Sequence, residues 1–413
     1  MIIVCSIQFC ASASASASTF IQRNFIQMEA LNSIKDTIKD VANSADEAGR
    51  KAILDSLRDL QYSIEKPEDT MQRVIHMHLV LSTIRLGLDL KLFNILVDSN
   101  RPLSLQELAL KTQADPALLG RILRMLSSLG IIKEMDEEEF AANKTTENLS
   151  ISVIQAGIYH NYDVFGPVYQ ALPEFFKSNG YQNITETHNT VFQKAWSTDL
   201  SMWAWLHLHP RETARFNQFM IAQRSSTPNC FNFYPIEEQC GDWEADKPVF
   251  VDMGGASGQQ CIEFRKRFPN IQGRVVLQDL PAVVNDARSQ GLPEGVEAMV
   301  HDFYTPQVLK GAKFYYLRAI LHDHCDDKSI LILKNIISAM DENSLILLDE
   351  MALPNQGIDC FATQTDLTML AACGSMERTE AQWYRLLEGV GLKVKKLYTY
   401  THAFRLSVIV ASL

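Results

Sequence analysis

The chain has 413 residues, 46% of them hydrophobic and 21% charged, and carries a formal net charge of −11. That length exceeds one ordinary core, so two or three domains are expected, and the composition is that of a soluble globular protein. The acidic balance excludes nucleic acid as the main partner, because phosphate binding needs a clustered positive surface, and no run reaches the length of a membrane-spanning helix.

The eight cysteines (5, 10, 230, 240, 261, 325, 360 and 373) form no CxxC pair and no His/Cys ligand spacing. They read as the reduced, scattered thiols of a cytoplasmic protein, with no metal site. Residues 1–27 have a short apolar start but no basic n-region, and ASASASAS is of low complexity. They read as a disordered or mis-started extension, with the working protein beginning at Met28.

From Met28 to about Ser63 apolar residues recur at three- and four-residue steps, which predicts helix, and Pro67 is expected to break it. A long helix is expected from about Thr70 to Leu96, apolar on most of its circumference and therefore buried, within the domain or between two subunits. Next, Ser104 with Glu107 three residues on forms a capping-box pattern. A turn at Ala114-Asp115-Pro116 leads to a second helix ending at Gly130, and a β-like pair follows. This is the outline of a winged helix. Its wing carries Glu134, Asp136, Glu137, Glu138 and Glu139, which would repel phosphate, so residues 28–147 are assigned a dimerisation or scaffold role rather than DNA binding.

Residues 148–240 read as a helical linker and substrate-pocket region rich in aromatics. Trp196, Trp203, Trp205, Phe216, Phe219 and Met220 suit the wall of a pocket for a flat molecule, although most aromatics in such a stretch serve the core. His160 and Arg224 stand out as polar residues there.

Residues 241–413 alternate β and α. Strands are predicted at 248–253, 274–279, 297–302, 314–321, 344–352, 393–400 and 404–412, with helices between the first five. This is a doubly wound α/β sheet, and the tight turn between the last two strands requires one of them to run antiparallel. The first strand gives way to Gly254, Gly255 and Gly258 in PVFVDMGGASG, followed at once by a helical segment. Such a turn lets backbone approach a nucleotide closely, since glycine has no Cβ in the way. Asp279 ends the next strand about twenty residues later, where a carboxylate accepts hydrogen bonds from ribose hydroxyls. The spacing is not GxGxxG and no Lys-Ser/Thr pair follows, so a nucleoside without a pyrophosphate fits best, with S-adenosylmethionine (SAM) as the candidate. Ligands of such sheets sit outside the carboxyl ends of the strands, which places Gly254, Asp279, Asp302, Phe303, His322 and Glu350 on one rim.

In order along the chain, VDMGGASG, LQDLP, HDFY, LRAILHDH, LLDEMALP and SMERT resemble the motifs of the SAM-dependent small-molecule O-methyltransferases, the class that includes plant caffeic acid and fungal secondary-metabolite enzymes. The resemblance covers nearly everything after Met28. It implies a Rossmann-like SAM methyltransferase sheet at the C-terminus, preceded by a mainly α winged-helix dimerisation domain, and a homodimer. Carried over position by position, it implies that Gly254, Gly255 and Gly258 form the SAM loop, that Asp279 holds the ribose, and that Asp302 and Phe303 flank the adenine. Arg318 stands where many members carry a lysine near the methionine end. His322 matches the general base, with Asp323 beside it, and Glu350 and Glu377 match the two flanking acids, either of which would orient the imidazole. Met369 matches a residue that clamps a flat acceptor.

Three departures stand out. Ala256 replaces a loop glycine, and His324 and Cys325 replace the tryptophan and its neighbour that commonly follow HD. A branch of the family, in fungal pyridone-alkaloid pathways, keeps SAM bound and catalyses dehydration and pericyclic reactions, using a histidine and an arginine in places comparable to His160 and Arg224. Two functions follow as expectations. The first is methyl transfer to a hydroxyl of an aromatic or polyketide-type metabolite with His322 as base; the second is a SAM-retaining pericyclase or dehydratase.

Overall fold

In this computed structural model the described residues are 28–184, 186–225, 228–241 and 243–413, with backbone alone described over 221–225. The expected extension 1–27 lies outside them. The chain divides into two units after Val74.

The first unit contributes helices 28–44 and Glu47–Ile64 and most of Pro67–Ile75. Asp46 caps the second by accepting the Gly49 N–H at 2.8 Å. Pro67 opens the third helix rather than ending a fold element, because its missing N–H costs nothing in a first turn. The corner between them is held by Arg73, which donates two bonds to Glu65 at 2.8 and 2.9 Å and lies 4.2 Å from the Tyr62 ring.

The long apolar helix expected over 70–96 is instead three pieces, Pro67–Ile75, Met77–Asp89 and Leu92–Ser99. His76 leaves helical geometry at φ −101° and ψ 4°, and Lys91 adopts a left-handed φ of 53°. The expected burial is met on one face only: Thr83, Gly87 and Leu88 are buried, whereas Met77, Leu79 and Leu86 are about half exposed within the single chain.

In the second unit the winged helix forms as the caps direct. Strand β1 (Leu103–Ser104) leads into helix Leu105–Thr112, where the Glu107 N–H donates to Ser104 Oγ and the Ser104 N–H to the Glu107 carboxylate. Helix Pro116–Ser128 starts on an Asp115 cap and is followed by β2 (Lys133–Asp136) and β3 (Glu139–Ala141). The three strands pair antiparallel in the order β1-β3-β2 over a core of Leu92, Phe93, Leu108, Leu119, Leu123 and Phe140.

The remaining strands are β4 (Pro248–Met253), β5 (Arg274–Asp279), β6 (Val296–Val300), β7 (Phe314–Arg318), β8 (Leu345–Met351), β9 (Lys393–Thr399) and β10 (Leu406–Ser412). They form one sheet in the order β6-β5-β4-β7-β8-β10-β9, parallel from β6 to β8, with β10 antiparallel to both neighbours. Side chains alternate across it: Val251, Tyr315 and Leu317 pack under Ile332, Leu333 and Trp383, while Phe250, Phe314 and Tyr316 face Phe231, Tyr234 and Phe264.

The expected helices occupy three of the first four connections: Gln259–Arg267, Pro281–Gln290 and Asp326–Ile337. The connection of residues 301–313, all among the described residues, carries no helix. Thr305-Pro306 and Gly311 punctuate it, and it is pinned instead by buried Gln307, whose amide exchanges hydrogen bonds of 2.8 and 3.0 Å with the Gln278 amide. The fourth strand also stops at Arg318, short of the expected residue 321. Residues 321–323 form a single 3₁₀ turn instead, after Ala319 adopts a left-handed φ of 49°. The last two strands are joined by a six-residue loop, 400–405, rather than a tight turn. Chain order reverses between β4 and β7, so the open crevice of the sheet lies at their carboxyl ends.

Candidate active site

At the end of β4 the backbone enters conformations that side chains oppose. Gly254 has φ +72°, and a Cβ there would fall 2.6 Å from Ile320 Cδ1 and 3.7 Å from the Phe303 ring. A Cβ on Gly255 would meet Asp252 Oδ2 at 2.4 Å and Leu277 Cδ1 at 2.6 Å, so neither position accepts a larger residue. Gly258, at φ +78°, opens helix Gln259–Arg267. Asp279 is tied to this loop: one carboxylate oxygen accepts the Ala256 N–H at 2.9 Å and the other the Leu280 N–H at 2.7 Å. Asp302 is exposed and accepts the Tyr304 N–H at 2.9 Å, and Phe303 is half-buried. His324 stands edge-on to Phe303 and Tyr304 at 5.7 and 5.6 Å, with Nδ1 3.1 Å from the Tyr304 hydroxyl. Burial pushes its pKa down to about 4, so the ring is neutral and completes an aromatic trio. A backbone cradle, a carboxylate at its lip and an aromatic wall fit a nucleoside-bearing cofactor.

Arg318, at the end of β7, has its Nε 3.3 Å from Asp349 Oδ2, and the hydroxyls of Tyr316 and Tyr400 donate to the same carboxylate at 2.6 and 2.5 Å. Asp252, an acid with no role expected from the sequence, is almost fully buried beneath the loop. Burial raises its pKa to about 7 against the lowering effect of Arg318.

The 3₁₀ turn after β7 carries the candidate base. His322 Nδ1 lies 2.7 Å from Glu377 Oε1 and Nε2 lies 3.6 Å from Asp323 Oδ1. Burial lowers the imidazole pKa, but Asp323, Glu377 and Glu350 outweigh it and raise the value to about 10. Either Glu350 or Glu377 was expected to orient the ring, and the structure divides their roles. Glu377 meets the imidazole. Glu350 accepts the N–H groups of Ile320 and Leu321 at 2.9 and 2.8 Å, and burial raises its own pKa to about 7. Glu377 is itself placed by its N–H, which donates to Asp366 Oδ1 at 2.8 Å.

His160 sits apart from this cluster. It is buried among Phe165, Phe216 and Phe219 with ring centroids at 5.3, 5.2 and 6.2 Å, its Nδ1 has no hydrogen-bond partner among the described residues, and burial lowers its pKa to about 4. It ends helix Ser152–His160, where residues Asn161–Phe165 widen into a π turn. Pro167 explains the widening, having no N–H for the Asp163 carbonyl and a ring that would strike it.

One helix links the two groups. Tyr169, stacked on Phe165, shares a 2.9 Å hydrogen bond with Thr368 of helix Cys360–Cys373, which also carries Asp366 and Met369. Met369 packs in the same apolar cluster as Phe165. Met220 is half-buried on helix Pro210–Ser225, and of Arg224 on that helix only the backbone is described. Trp196 and Trp205 lie with ring centroids 4.7 Å apart, tilted by 41°, in the same apolar cluster.

A doubly wound sheet with a glycine cradle at its switch point and a histidine–carboxylate pair beside it defines a SAM-binding enzyme fold of the methyltransferase type. Comparison with known proteins narrows this. The O-methyltransferase domain profile matches residues 179–393 and the O-methyltransferase dimerisation domain profile matches 72–149. The chain is 39% identical to the O-methyltransferase lepI of Aspergillus flavus, over 91% of this chain and 97% of that protein. It is 37% identical to the demethylsterigmatocystin 6-O-methyltransferase of Aspergillus parasiticus, over 88% and 93%. Among solved structures, LepI in complex with SAM superposes with a TM-score of 0.84 at 38% identity, covering 94% of this chain and all of that one. OxaC in complex with sinefungin and meleagrin superposes with a TM-score of 0.78 at 26% identity, with the same coverage. The chain belongs to the O-methyltransferase family, whose cofactor is SAM.

Two residues that bear on the site were not singled out from the sequence: Asp252 and Arg378. The acid in VDMGG and the arginine in SMERT were the available signals. Neither spacing shows that a charge is buried there.

Proposed function

We propose that this protein transfers a methyl group from SAM to a hydroxyl of an aromatic or polyketide-type metabolite, with His322 as general base. The observation that carries it is the 2.7 Å pairing of His322 Nδ1 with buried Glu377, with Nε2 3.6 Å from Asp323 Oδ1. Gly254, Gly255, Gly258, Asp279, Asp302, Phe303 and Arg318 would hold the cofactor. When bound, SAM supplies an electrophilic methyl group and a positive charge. The chain's part is to orient the acceptor hydroxyl and take its proton. Glu377 fixes the ring and supports the imidazolium that forms. Three carboxylates keep His322 protonated near neutral pH in the cofactor-free chain, so the base form appears as pH rises. A cationic ligand in this acidic site moves that limb downward by Coulomb repulsion.

A second function is favoured by a specific feature, the buried His160 just before a π turn, whose Nδ1 has no partner among the described residues. One of the similar structures is described as a pericyclic reaction enzyme, at 38% identity. In that function SAM stays intact, and His160 with Arg224 would act on the substrate.

Mass spectrometry after incubation with SAM and polyhydroxy-aromatic probes, demethylsterigmatocystin among them, separates the two. S-adenosylhomocysteine together with a product heavier by one CH₂ establishes methyl transfer. His322→Ala is then expected to lower turnover roughly 10²- to 10⁴-fold and to remove the rising pH limb, while leaving SAM affinity nearly unchanged. Undiminished turnover in that variant removes His322 from the mechanism, and intact SAM beside an isomerised or dehydrated substrate selects the second function.

A further inference from the structure

Arg378 is fully buried, and its guanidinium spends its donors on the segment that bears His322. Nη1 donates to the Leu321 carbonyl at 2.8 Å. Nη2 donates to the His324 carbonyl at 2.8 Å, to Asp326 Oδ1 at 2.8 Å and to Ser329 Oγ at 3.2 Å, and Nε reaches Asp326 Oδ1 at 3.0 Å. The two carbonyls belong to the first residue of the 3₁₀ turn Leu321–Asp323 and to the residue just after it. On the other side of the turn, the N–H groups of Ile320 and Leu321 go to Glu350. The turn is thus held by side chains from two other elements, a carboxylate on its donors and a guanidinium on its acceptors. Its entry needs such support, because Ala319 lies in the left-handed region.

We infer that Arg378 is a positioning residue that fixes the turn bearing His322 so that the imidazole stays on Glu377. Glu377 and Arg378 are neighbours in sequence, so one peptide grips both the ring and the backbone of the same turn. That peptide is anchored in its own right: the Arg378 carbonyl accepts the Leu353 N–H at 3.0 Å and the Glu377 N–H is taken by Asp366. Lysine cannot replace this clamp, since a point ammonium lacks the planar fork that spans two carbonyls and a carboxylate. The catalytic consequence rests on the proposed role of His322, whereas the effect on the imidazole does not.

The test is Arg378→Lys, with NMR titration of the His322 imidazole in the cofactor-free protein. The His322 midpoint is expected to fall by about one unit as the Glu377 contact loosens. Turnover of the phenol accepted in the mass-spectrometric assay is expected to fall roughly 10- to 100-fold, with KM little changed. Loss of stability alone would lower the melting temperature and leave the midpoint of the folded molecules where it was. Should Arg378→Lys not fold, Asp326→Asn removes the exposed carboxylate that anchors the guanidinium, and a smaller shift in the same direction is expected. A folded variant with an unmoved His322 midpoint overturns the inference. A moved midpoint with full turnover in His322→Ala leaves the clamp standing and refutes the base.

Discussion

At the scale of the residue, the site is governed by how many charges share little water. Asp252 shows it most simply. Its carboxyl is buried under the glycine loop and has a pKa of about 7, against an ordinary 3.8. Because the folded value lies above the unfolded one, the unfolded chain releases its proton first as pH rises, and stability is lost between about pH 4 and 7. Asp252→Asn has no proton to lose. Its melting temperature relative to the parent is therefore expected to climb across that window and then level, as followed by calorimetry. A flat difference would mean that Arg318 keeps Asp252 ionised in the native state. The sequence placed Gly254, Asp279, His322 and Glu350 on one rim, because strand ends are local, and left open whether Glu350 or Glu377 meets the imidazole. It left Asp252 and Arg378 unmarked, because burial is a property of the neighbours.

At the scale of the element, two short segments decide how the helical region meets the sheet. The π turn Asn161–Phe165 puts Asp163 where Arg85 and Arg215 both reach it, at 3.0 and 2.7 Å, while the two guanidinium groups sandwich the Tyr159 ring at 4.2 and 4.0 Å. One turn earlier, Gly157 lets Phe219 approach His160: a Cβ there would meet the Phe219 ring at 2.8 Å. In an open helix Gly→Ala stabilises by about 0.5–1 kcal/mol. Here the clash should outweigh that gain, so Gly157→Ala is expected to cost about 1–3 kcal/mol in a denaturant melt. A stabilised variant would show that the aromatic cage around His160 yields. The π turn had a sequence signal in Pro167, but the same signal is compatible with a kink or a break, and packing chose among them. The helix expected between β6 and β7 failed for a related reason. A loop pinned by a buried amide pair satisfies its backbone without helical bonds.

At the scale of the whole molecule, the face of Met77–Asp89 that the single chain leaves exposed falls within the stretch matched by the dimerisation profile. Sedimentation is expected to show a dimer, and Leu79→Glu is expected to shift it toward monomer, because a carboxylate at an apolar interface must be desolvated without a partner. A monomeric parent protein would overturn this. No helix among the described residues is long and apolar enough to cross a membrane.

By itself the sequence determined what depends on neighbours along the chain. Those features are the capping box at Ser104, the strands after residue 247 with three of the four helices expected among the first five, the glycine turn, and the acid that ends β5. Each is a local free-energy preference that the fold has no cause to override. Tertiary structure decided the rest. It set the order of strands about β4 and β7, divided Glu350 from Glu377 between backbone and imidazole, and joined the His160 cage to the Glu377 loop through one helix. Those outcomes follow from which donors and acceptors are brought together out of water, and residues 30 to 200 positions apart in the chain meet only when the sheet has closed over them.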